Sequence, residues 1–114
     1  MTKFVRGDVV QVPFPGDAAT SGDEKQTALV VSPSDLEHAQ GLLWVALVTK
    51  PEDPPWRGDV PILDSAVAGT PAHAVIRTAR LATVPAESAK RIGRISGMLL
   101  GRVLGEINGA LGRL

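Results

Sequence analysis

The chain of 114 residues contains no cysteine. That removes disulfides and thiolate metal sites, and it fits a reducing compartment. An excess of one charge sign is missing too: 12 basic and 12 acidic residues leave a formal net charge of zero. No general affinity for polyanions follows, so any nucleic-acid contact has to come from a local basic patch. No apolar run approaches the ~18 residues that would span a bilayer, and the opening MTKFVRGDVV has no apolar core of a secretion signal. The expected location is the cytoplasm, without a membrane partner. Also absent are a phosphate-cradling glycine loop, a nucleophile elbow and an internal repeat. The two histidines, His38 and His73, have no third ligand at metal spacing, and nothing in the sequence brings them together as an acid–base pair. The carboxylates are scattered rather than grouped as a magnesium nuclease would need. No metal and no cofactor is expected.

What is present is a chain with 44% apolar residues, enough for one domain over residues 1–114. Charge is divided along it: residues 1–57 hold five basic and eight acidic groups, residues 58–114 seven and four. GDVVQVPF (7–14) alternates with period two and predicts a half-buried strand that ends, or lies at an edge, at Pro13. Residues 15–25 are turn-formers and charges and predict a long mobile loop. TALVVS (27–32) predicts a central strand. SPSDLEHAQG predicts a helical turn capped by Ser34 and stopped by Gly41. LLWVALVT (42–49) predicts the most buried strand, with Trp44 in the core. KPEDPPWRGD (50–59) is broken by prolines and a glycine. VPIL, HAVIRT and RLATV predict short strands with a bend near Thr78, and PAESAKRIG a short helical turn. Ser96 then caps a helix with Leu100, Val103, Leu104, Ile107, Leu111 and Leu114 on one face. Short strands followed by one amphipathic helix imply a small barrel or sandwich with the helix packed on it.

That helix carries Gly97, Gly101, Gly105 and Gly109 at four-residue spacing. Each costs about 1 kcal/mol relative to alanine in an exposed helix interior. Two readings stand: a tolerant surface, or close approach of a neighbouring element or second subunit.

RGDVVQVPFP (6–15), ALVVS (28–32), LVT (47–49), WRGDVPI (56–62), AGTPAHAVIRTARLATV (68–84) and RIGRISGMLLGRVLGEI (91–107) together resemble, in order, the MazF/PemK family of toxins from type II toxin–antitoxin pairs. The resemblance implies a mainly β fold with a C-terminal α-helix, an SH3-like small β-barrel of the MazF/CcdB/PemK kind. It implies a homodimer, a metal-independent, sequence-selective endoribonuclease on single-stranded RNA, and a cognate antitoxin bound over the same surface. Operator DNA would be reached only through the antitoxin complex. In the family's reaction the ribose 2′-hydroxyl attacks the adjacent phosphorus, leaving a cyclic phosphate and a free 5′-hydroxyl.

By that resemblance the family's threonine at the end of the third strand matches Thr49. The family's arginine, in an Arg-Pro pair before the second strand, has no counterpart: the chain reads KQTALVV there, and Gln26 stands in its place. An amide can donate to a phosphate oxygen but brings no charge and no fork. Lys25 and Arg77 are the candidate substitute cations, and Thr27 is a further hydroxyl in the same stretch. Lys25 also reads as a solvated loop charge, and Arg77 equally as the partner of Asp59 or Asp64. Trp56 could stack an unpaired base with Arg57 on its phosphate, or plug a barrel edge or dimer seam. The candidate site is thus catalytic Thr49, Gln26, Lys25 and Arg77 with RNA-binding Trp56, Arg57 and Thr27. The alternative is a weakened or inactive homologue that binds antitoxin and, with it, operator DNA. A CcdB-type gyrase poison ranks last, because the chain ends GALGRL without the tail tryptophan of that type.

Overall fold

The computed structural model describes residues 2–15 and 25–112. The elements are β1 (Asp8–Pro13), β2 (Lys25–Val30), α1 (Ser34–Gln40), β3 (Leu42–Thr49), β4 (Asp59–Pro61), α2 (Ser65–Ala68), β5 (Val75–Pro85), a 3₁₀ turn (Ala86–Ser88), β6 (Lys90–Arg94) and α3 (Gly97–Leu111). All strand pairs are antiparallel, and the spatial order is β4-β5-β3-β2-β1-β6. The mainly β reading with a C-terminal helix holds. The sheet is not closed into a barrel: β4 and β6 are its edges.

The sheet buries apolar residues on both faces, which explains why its strands read as near-continuous hydrophobic runs. On one face Val9, Leu29, Val48, Val60 and Ile76 meet Val103 of α3, with Leu99, Leu100, Leu104 and Ile107 packed alongside. On the other, Val10, Val12, Ala28, Val45 and Leu47 form a second cluster closed by Phe4, Phe14 and Val84. Ser96 caps α3 as its spacing predicts, its Oγ accepting from the Leu99 N–H at 3.1 Å, a contact that typically contributes about 1 kcal/mol. Leu111 departs from the predicted apolar face: it is exposed. Leu114 and most of the loop expected at 15–25 lie outside the described residues.

Several local expectations shift. The N-cap of α1 is Pro33, not Ser34, and no side chain caps that helix. The Ser34 hydroxyl instead donates to the Phe4 carbonyl at 3.2 Å. Gly41 does end the helix, in the left-handed conformation that a glycine adopts without strain. The strands read separately as HAVIRT and RLATV are one strand, β5, with an irregularity opposite Ala46 and Leu47 where Thr78 to Arg80 are extra. The segment read as a helical turn after Pro85 splits into the 3₁₀ turn and β6. Trp44 is 52% exposed rather than core. Its side chain lines an apolar groove with Leu81 and with Leu104, Ile107 and Leu111 of α3.

Two carboxylates hold the chain's first residues to this frame. Glu37 accepts the backbone N–H groups of Lys3 and Phe4 at 2.8 and 3.0 Å. Asp8, fully buried, accepts from Val5 N–H at 3.0 Å and from Arg94 Nε at 2.9 Å. Gly93 has a packing reason of its own, since a Cβ there would run into the carbonyl of Ala68 in α2.

Candidate functional site

The candidate residues converge on one end of the sheet through register. Thr27 stands opposite Val48, and carrying that register one residue further sets Gln26 opposite Thr49. Thr49 stands opposite Val75, while Arg77 is opposite Leu47 on one side and Asp59 on the other. Alternation then fixes faces. Leu47 and Ala28 belong to the cluster under the face away from α3, so Gln26, Thr49, Arg77 and Asp59 all present to that face. Thr49 and Arg77 are diagonal neighbours, a relation that sets residues about 7–8 Å apart. Thr27 alternates onto the α3 side, where its neighbours Gln11 and Val48 also point.

Arg77 is 4% exposed and fully engaged. Its Nε and Nη2 form a two-pronged pair with Asp59 at 3.1 and 2.9 Å. Its Nη1 reaches Glu52 at 3.4 Å, and its guanidinium carbon lies 4.5 Å from the centroid of the Trp56 ring. Hydrogen bonding to Asp59 raises the arginine's pKa, with partial desolvation acting against it and the Glu52 charge adding to the rise. The forked geometry is the strong form of this contact, and removing one partner of a buried pair costs about 3–5 kcal/mol. Of the two partners offered by the sequence, Asp59 is therefore the one used. Asp64 instead caps α2, accepting from Val67 N–H.

The loop of residues 50–58 supplies the other half of the site. Glu52 divides its carboxylate: one oxygen faces Arg77, and the other accepts the indole N–H of Trp56 at 2.7 Å. Trp56 is 39% exposed, so it neither fills the core nor stands free. Gly58 makes the turn back into β4 with φ 89°, and a Cβ there would sit 2.5 Å from the Thr78 hydroxyl. That hydroxyl donates to the Gly58 carbonyl at 2.7 Å. Glycine is required here, and it delivers Asp59 to the guanidinium.

Electrostatically, one guanidinium faces two carboxylates, leaving this cluster with a formal charge of −1. Lys25, at the start of β2, is exposed and its Nζ donates to the Ser88 carbonyl at 3.3 Å. Arg57 is exposed, with no ion pair among the described residues. His38 lies in the last turn of α1 and His73 in the turn before β5, and no described group of three His, Asp or Glu residues is placed to hold a metal. Sequence reasoning missed Glu52. Its only signal was a carboxylate four residues before Trp56 in a segment whose prolines hide any periodicity.

The arrangement offers a half-buried hydroxyl and amide and a shielded guanidinium at one end of the sheet, groups suited to hydrogen-bonding a phosphate or carboxylate. A family model described as PemK-like, MazF-like toxin of type II toxin-antitoxin systems matches residues 5–111. No curated protein matches the chain by sequence. Among solved structures, a MazE-MazF complex from Deinococcus radiodurans is similar with a TM-score of 0.75 at 20% identity, over 99% of this chain and 98% of that one. An endoribonuclease in complex with its cognate antitoxin from a mycobacterial species gives 0.72 at 16% identity, over 100% and 98%. The Mycobacterium tuberculosis toxin MazF-mt6 gives 0.68 at 16% identity, over 90% and 94%.

Proposed function

The chain belongs to the PemK-like, MazF-like family of toxins of type II toxin-antitoxin systems, and from that premise we propose that it is a metal-independent endoribonuclease of single-stranded RNA. The observation that carries the reading is the convergence of Gln26, Thr49 and Arg77 on one face at one end of the sheet. The relatives whose names state endoribonuclease activity share this fold. In the proposed reaction the 2′-hydroxyl oxygen forms a bond to the adjacent phosphorus as its proton passes to water. The bond from phosphorus to the 5′-oxygen then breaks, and that oxygen takes up a proton from water, giving a 2′,3′-cyclic phosphate and a 5′-hydroxyl. The Thr49 hydroxyl and the Gln26 amide are the donors for the phosphorane oxygens, and Arg77 Nη1 is the nearby positive edge. Arg57 is the exposed charge proposed for a flanking phosphate, whereas Lys25 alternates with Gln26 onto the α3 side and donates to the Ser88 carbonyl, which leaves it out of the proposed reaction.

The same family membership supplies the partner: a cognate antitoxin, proposed to bind over this face and inhibit it. Assembly as a homodimer, location in the cytoplasm and contact with operator DNA only through the antitoxin complex are proposed on that ground too. Among the described residues no helix is long and apolar enough to cross a membrane.

Purified protein incubated with a mixed-sequence RNA in the presence of a chelator should give fragments with cyclic phosphate ends, while the all-2′-deoxy counterpart stays intact. Intact RNA at large protein excess would remove the ribonuclease reading. A second reading has its own support. With Gln26 where the family resemblance calls for arginine, and Arg77 already faced by two carboxylates, the chain also fits a homologue that binds antitoxin without cutting.

A further inference from the structure

Arg77 uses its two partners unequally. Asp59 holds Nε and Nη2 through a fork at 3.1 and 2.9 Å, and its side chain is 7% exposed. Glu52 meets only Nη1, at 3.4 Å, from a side chain 57% exposed. The first contact is part of the sheet, because Asp59 and Arg77 are register partners on adjacent strands. The second is made by a loop, and a long contact to a solvated carboxylate contributes little. Glu52 is nonetheless tied to a second group through its other oxygen, which accepts the Trp56 indole N–H at 2.7 Å. One carboxylate therefore closes both the outer edge of the guanidinium and the polar edge of the ring stacked on it.

We infer that Glu52 is an internal stand-in for the substrate phosphate, a latch that an RNA phosphate displaces when it takes Nη1 of Arg77 and frees Trp56 to stack a base. The inference rests on the ribonucleic-acid reading given above. Its chemistry is an exchange of one anion for another: a phosphate oxygen accepts the same N–H that the Glu52 carboxylate accepts in the free protein. While the latch is closed the Arg77 cluster has a formal charge of −1, which repels a phosphate. Once Glu52 leaves, Arg77 and Asp59 alone are neutral, and Nη1 is the edge left for an incoming anion. Release of the indole N–H in the same step couples phosphate arrival to the aromatic surface. The sequence of Trp56-Arg57 then places an exposed cation next to the ring for the neighbouring phosphate.

The test uses a fluorescein-labelled 2′-O-methyl oligonucleotide, which cannot be cleaved, and two variants of an exposed residue that leave the core untouched. Glu52→Gln removes the competing charge while keeping the shape, and should bind the oligonucleotide up to about fivefold more tightly in anisotropy titrations, as loss of an exposed charge contact allows. Equal or weaker binding overturns the latch. A second readout needs no RNA. In a Trp44→Phe background the remaining tryptophan is Trp56, and Glu52→Ala should shift its emission to the red and increase its quenching by acrylamide. Unchanged emission overturns the latch even where RNA binds. If neither the wild type nor Glu52→Gln binds the oligonucleotide, the ribonuclease reading and the ligand named here both fall, whereas the emission shift alone still decides whether the loop is latched.

Discussion

At position 77 the guanidinium is neutralised before any ligand arrives, and at position 26 the amide brings no charge to replace it. Polarity at this end of the sheet is therefore supplied by neutral donors, Thr49 and Gln26, beside a cation whose inner edge is committed to Asp59. Restoring an oriented charged donor should matter in proportion to what one such donor contributes to a transition state, about 10²–10³ in rate. Gln26→Arg is expected to raise single-turnover RNA cleavage by that order. Should the native protein prove inactive and the variant active, the binding-only reading stands. An unchanged rate would show that position 26 does not face the scissile phosphate. The names of these residues were legible because the family resemblance fixes their order along the chain. The state of Arg77 was only half legible: Asp59 was one of two candidate partners, and choosing between them needed the pairing of β4 with β5. Glu52 was hidden, because side chains in a proline-broken loop have no period from which to infer a direction.

Elements differ in how openly their sequences declare them. β1, β2 and β3 show apolar runs because both faces of the sheet are covered, and α3 shows its cap and its 3.6-residue stripe. β6, KRIGR, shows neither, since an edge strand half open to water needs no apolar alternation and takes its identity from pairing with β1. Trp44 misled for a related reason: a central strand can carry a side chain in a surface groove that the covering helix lines but does not close. The glycines of α3 can now be placed. A Cβ at Gly97, Gly101, Gly105 or Gly109 would meet nothing within 4 Å, so no neighbouring element among the described residues requires them. Gly101→Ala and Gly105→Ala should each stabilise the protein by about 0.4–1 kcal/mol, through lower unfolded-state entropy and better helix propensity. Urea denaturation measures it. Loss of stability in either variant would show that something outside the chain packs against that face.

For the molecule as a whole, charge balance limits how RNA can be held. With a net charge of zero and an Arg77 cluster that is itself formally negative, few phosphates can be neutralised at once. Log Kd for single-stranded RNA should change with log salt by only about 0.7 per phosphate contact, so two contacts predict a slope near 1.4. Anisotropy titrations between 50 and 200 mM salt, a range over which counterion release is readily read, measure it. A slope of about 3 or more would show that further cations, such as exposed Lys90 and Arg91 on β6, also neutralise phosphates. The forked pair between β4 and β5 also ties the two positions together as a unit of change. Replacing Asp59 alone would leave a buried guanidinium with only the long Glu52 contact, and replacing Arg77 alone would strand a buried carboxylate. Substitution at either position is therefore tolerable only when the other is substituted with it.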